Sequence, residues 1–93
     1  MRSVDRALYA DLLAGEAASL AARIERERGK QRQCAIERDA RAALTPFAVE
    51  RLGEIGLLST RADPAAIAEL EETLDAVEVL QAWVEEALTR AAA

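Results

Sequence analysis

The sequence predicts an all-α protein, an antiparallel helical hairpin with coiled-coil-like packing, on three observations. Its 93 residues are 52% hydrophobic and 31% charged, and the apolar share is mostly alanine and leucine, with Tyr9, Phe47 and Trp83 the only aromatics. Ala, Leu, Glu and Arg are the best helix formers, and β-branched residues are sparse. Two pairs, Thr45-Pro46 and Asp63-Pro64, read as helix starts, a capping side chain followed by proline at the first helical position. Finally, Ile67, Leu70, Leu74, Val77, Val84 and Leu88 recur at heptad spacing, with Gln81 at the one remaining position. A chain this short cannot divide its apolar residues between two cores, so one domain spanning 1–93 is expected.

The first helix is expected from Val4 to about Leu44. Ser3 is placed to cap it, Asp5 complements the N-terminal dipole, and no proline follows until Pro46. Gly29 is its weakest point, inside a stretch from Glu25 to Gln33 without a large apolar residue. An isolated glycine costs only ~1 kcal/mol, so a continuous helix with a soft spot is expected. The second helix, from Pro46 to about Glu54, is short because Gly53 and Gly56 follow quickly. With Gly56 just past its end, Leu52 and Leu57 stand where a Schellman motif wants its hydrophobic contact. Ser59 to Ala62 reads as a connection, and Asp63 caps a third helix from Pro64 to about Ala91.

At ~100° per residue, the third helix gathers its heptad residues and Leu80 within an arc of about 140°, flanked by Glu71, Glu78 and Glu85. It is amphipathic and faces a partner helix. At ~42 Å it can cover at most two-thirds of the first helix. Gln81, polar within the seam, is expected to fix register at a cost in stability. The first helix is apolar on two sides: Val4, Leu8 and Leu12 on one, Tyr9, Leu13, Leu20 and Ile24 on the other. One side suits the C-terminal helix, and the other calls for a further partner. A homo-oligomer or stable hetero-complex is therefore expected, with Leu8, Leu12, Leu13, Leu20 and Ile24 as interface residues.

Catalytic chemistry has little to work with. Histidine, the commonest general base and metal ligand, is absent. One cysteine cannot build a structural zinc site, and Gly15, Gly29, Gly53 and Gly56 form no phosphate loop. No catalytic residue, metal or cofactor is expected, and the protein reads as a non-enzyme. The longest uncharged run, Ala42 to Val49, falls far short of the ~20 residues that span a bilayer. Asp5, Asp11 and Glu16 interrupt any apolar leader, and the lone Cys34 suits a reducing compartment. A cytoplasmic protein without a membrane partner is expected.

The net charge of −5 conceals an asymmetry. From Arg23 to Arg41 seven basic residues face four acidic ones, leaving +3, whereas from Asp63 onward eight acidic residues face only Arg90, leaving −7. Arg23, Arg26, Lys30, Arg38 and Arg41 share an arc of roughly 120° that could track a phosphate backbone. Glu27 and Glu37 share that arc, and Glu25 and Asp39 lie nearby, which favours a solvated face laced with ion pairs. Val79 and Trp83 lie one turn apart, off the heptad stripe, and Ala76 and Ala87 extend the patch. This is an aromatic anchor for a protein partner, or it packs on another helix such as the one bearing Phe47; either way Trp83 is expected to be at least partly buried. Cys34, beside basic residues, reads as a small packing residue before a reactive thiol.

The leading functional expectation is a protein-binding adaptor or chaperone acting through helix-on-helix packing, upon another protein or itself. The alternative is an oligomeric DNA-handling protein, such as a small phage DNA-packaging (terminase-type) subunit, using the basic segment 23–41. A small acidic helical hairpin recurs in export chaperones, phage packaging subunits, phage counter-defence proteins and structural adaptors, and no residue-level signature selects among them.

Overall fold

In the computed structural model, which describes residues 3–92, three helices follow in order: α1 (Ser3–Ala43), α2 (Pro46–Glu54) and α3 (Pro64–Ala92). The expected cap at Ser3 falls on a side chain outside those described. α1 runs unbroken through Gly29. Across the stretch that lacks large apolar residues, ion pairs span its turns: Lys30 to Glu27 at 2.9 Å and Arg32 to Glu25 at 2.8 Å. Exposed pairs of this kind contribute only a few tenths of a kcal/mol each.

Local signals set the turns. Thr45 Oγ1 accepts a hydrogen bond from the Ala48 N–H at 3.2 Å, and Pro46 opens α2. The end of α2 is a Schellman motif: the Gly56 N–H donates to the Gly53 carbonyl at 3.1 Å, and the Leu57 N–H to Leu52 at 3.0 Å. It requires the left-handed φ of +81° at Gly56. Asp63 Oδ1 then accepts from the Ala65 N–H at 3.0 Å, with Pro64 as the first residue of α3.

α3 returns antiparallel along α1, and the Arg28–Glu71 ion pair at 2.7 Å crosses between them. Leu13, Leu20 and Ile24 of α1 and Ile67 and Val84 of α3 are buried, Val84 completely. Leu70, Leu74, Val77, Leu80, Gln81 and Leu88 line the same seam half-buried, so the heptad stripe faces α1 as its spacing predicts. Burying each large apolar side chain contributes roughly 1.5–3 kcal/mol. α2 buries no residue and stands beyond the paired segment. The molecule is a rod of 69 × 18 × 15 Å, with a radius of gyration of 21.1 Å against roughly 12 Å for a compact chain of this length.

One expectation changes here. Leu13, Leu20 and Ile24, expected with Leu8 and Leu12 as contacts to another chain, instead form the intramolecular seam. The apolar stripe of α3 takes that side of α1 because the connection folds it back upon its own chain. Val4, Leu8 and Leu12 remain exposed.

Candidate protein-interaction face

Two antiparallel helices seen from one end wind in opposite senses. A residue that immediately precedes a seam position therefore points to the same side of the hairpin on both helices, and one that follows it points to the other. We call these the leading and trailing faces. The surface depressions follow this division. One is lined by Arg23 and Arg26 of α1 with Ala66, Glu69 and Thr73 of α3, on the leading side. Another is lined by Ala17, Ala18 and Ala21 with Glu78, Gln81 and Glu85, on the trailing side.

Leu12 precedes Leu13, and Trp83 precedes Val84, so both stand on the leading face. The antiparallel register brings them to the same end, since Leu12 lies as far before Arg28 as Ala87 lies after Glu71. Leu12 is 58% exposed and Trp83 56% exposed. Leu8 winds from this face toward the back of α1, and Val4 lies on the back. Ala87 and Ala76 share the face on α3, and Val79 flanks Trp83 on its outer edge, exposed as well. Trp83 also borders a shallow depression with Arg6, Glu86, Ala87 and Arg90. Packing of Trp83 on the short helix does not occur, because Phe47 stands at the opposite end of the rod. Its own hairpin covers less than half of the residue.

The five basic residues that share an arc on α1 do different things. Lys30 pairs with Glu27, and Arg38 with Asp39 at 3.6 Å. Arg41 donates to the Leu58 carbonyl. Arg23 and Arg26 have no carboxylate partner within 4 Å among the described residues.

A feature absent from the sequence reading joins α1 to the connection before α3. Cys34, Glu37 and Arg41, spaced to share one face of α1, each bond to backbone between Leu58 and Thr60. The Cys34 thiol donates to the Thr60 carbonyl at 3.2 Å, and Glu37 Oε1 accepts from the Thr60 N–H at 3.2 Å. Glu37 is only 3% exposed, and its Oε2 has no hydrogen-bond partner among the described residues. The Thr60 side chain holds this carboxyl below its ordinary range, against the opposing effect of burial; the Thr60 and Ser59 backbone and the charge of Arg41 act in the same direction. The three residues form a structural clamp: Cys34 is a packing residue with one hydrogen bond, and Glu37 belongs to the connection and not to a solvated arc. The only sequence signal was the 34, 37, 41 spacing, which is uninformative without the path of the connection.

Phe47, Ile55 and Leu57, on α2 and the turn that follows it at the other end of the rod, are also exposed. Among the described residues no group of three or more His, Cys, Asp or Glu side chains is arranged to hold a metal ion, and no helix is long and apolar enough to cross a membrane. Compared with known protein families, curated proteins and solved structures, the chain matches none.

Proposed function

We propose that this protein is a non-enzymatic helix-packing module, a cytoplasmic adaptor or chaperone whose working surface is the leading face at the α1 N-terminal and α3 C-terminal end. The observation that carries the reading is the placement of Leu12 and Trp83, large apolar side chains left exposed on the same face and at the same end of the hairpin, with exposed Leu8 at its margin. Contiguous apolar surface of this kind marks interaction sites, and tryptophan is enriched where binding energy concentrates. A helix pair offering Leu12 and Trp83 side by side suits a partner that is itself helical. The DNA-handling alternative has weaker support: Lys30, Arg38 and Arg41 are engaged within the chain, which leaves Arg23 and Arg26 as its cations.

A photo-crosslinking amino acid placed singly at Leu12, Trp83, Ala21 and Phe47, in the cells that produce the protein, tests the reading. Protein adducts at Leu12 and Trp83 but not at trailing-face Ala21 are expected. Adducts confined to Phe47 would move the surface to the tip, and adducts nowhere would overturn the proposal. Retention of the purified protein on DNA that falls steeply with salt, and is lost in Arg23→Glu with Arg26→Glu, would favour the alternative.

A further inference from the structure

Resting on the reading of the leading face as the working surface, we infer that its occupant is a second copy of this chain, related by a twofold axis parallel to the helices. That rotation lays α1 of each copy over α3 of the other. Every neighbouring pair of helices is then antiparallel, as in an up-down four-helix bundle. It also keeps each residue at its own height along the rod, so the apolar end meets the apolar end. Leu12 of one copy comes over Trp83 and Ala87 of the other.

Charge complementarity singles out this occupant. Beyond the apolar end, the α1 edge of the leading face is basic, with Arg23 and Arg26, and the α3 edge carries the acidic Glu69. Arg23, Arg26 and Glu69 border one depression at a single height. None of the three is in an ion pair among the described residues. The rotation carries the basic edge of each copy over the acidic edge of the other, twice by symmetry. At the other end it sets Asp5 toward Arg90, which within the single chain pairs with Glu86. The trailing face has no such pattern, since Glu71 is already matched to Arg28 and Glu78 and Glu85 stand over alanines.

The surface area is sufficient. The chain exposes 6801 Å², against roughly 5,300 Å² for a compact monomer of its mass. The excess of roughly 1,500 Å² is more than the ~800 Å² that each partner covers in a standard interface.

Light scattering on the purified protein at tens of micromolar should give twice the chain mass of 10.1 kDa. Leu12→Glu should return the mass to that of one chain with helicity retained, because Leu12 lies outside the hairpin seam. Arg23→Glu with Arg26→Glu, and separately Glu69→Arg, should each weaken the dimer by about tenfold or more through like charges on opposed edges. Mixing the two charge variants should restore a heterodimer, since each then meets its complement. A chain that stays at 10.1 kDa overturns the inference, as does a dimer indifferent to Leu12→Glu and to the charge variants. Adducts to a different protein at Leu12 with a monomeric purified chain would leave the proposed function standing and remove the second copy. A monomer without any adduct would remove both.

Discussion

Leu20 and Leu12 are the same side chain two turns apart on one helix, and replacing each with alanine separates the hairpin from its partner surface. Leu20 is 6% exposed and lies in the seam with α3. A buried Leu→Ala change costs about 2–5 kcal/mol through lost burial plus the cavity left behind. A seam between two helices can collapse partly around a small void, so about 2–3 kcal/mol is expected for Leu20→Ala. At 4–8 °C per kcal/mol for a domain of this size, its Tm should fall by roughly 10–20 °C. Leu12 is 58% exposed, and within a single chain its truncation should stay within about 0.5 kcal/mol. Its effect should come through association, and so should grow with protein concentration. Thermal unfolding followed by far-ultraviolet circular dichroism, over a hundredfold concentration range, measures both. Leu20→Ala should be destabilised at every concentration, and Leu12→Ala only toward the upper end. Equal shifts for the two variants at the lowest concentration would refute the assignment of the two sides of α1.

The remaining predictions concern the turns, the clamp and the seam. Gly56→Ala should cost about 1–2 kcal/mol from its left-handed φ alone, since an added Cβ meets nothing within 4 Å. Gly29→Ala, where the added Cβ lies 3.7 Å from the Arg32 guanidinium, should stabilise α1 by ~1 kcal/mol, so Tm shifts of the same sign in both variants would contradict the account. Glu37, its pKa lowered in the folded state, contributes stability that is present above its unfolded value of ~4.3 and is lost as pH falls through the folded value. The Tm gap between the parent and Glu37→Gln should therefore narrow on acidification from neutral pH to below 4, and parallel Tm curves would show that the ionised clamp contributes nothing. Gln81→Leu should raise Tm by a few degrees while admitting other association states, whereas a lower Tm with unchanged mass would mean that the amide makes a specific hydrogen bond.

Helix boundaries were legible because their causes are local. Thr45-Pro46, the Schellman glycine at 56 and Asp63-Pro64 act within a few residues, and α2 and the start of α3 fall where those signals place them. The α3 seam was legible for the same reason, since its spacing defines one face. Periodicity identifies apolar faces but not their neighbours. Two apolar sides of α1 were therefore visible, while the choice of Leu13, Leu20 and Ile24 for the intramolecular seam depends on where the connection delivers α3. The clamp was hidden further still. Glu37 looks like one charge among many until the turn at Gly56 lays Thr60 beside it, and Arg41 looks like a phosphate ligand until Leu58 presents its carbonyl. Nothing in the sequence order puts Leu12 next to Trp83, which requires both the antiparallel register and the sense of each helix.

Trp83 is the single tryptophan of the chain, so its fluorescence reports on the leading face alone. Acrylamide quenching and emission wavelength should be followed as the purified protein is concentrated from nanomolar to tens of micromolar. Quenching should fall and emission shift to shorter wavelength as the second copy covers the indole, and Leu12→Glu should keep Trp83 quenchable throughout. Quenching that stays constant across that range and is identical in Leu12→Glu would contradict the claim that the leading face is covered by another copy of the chain.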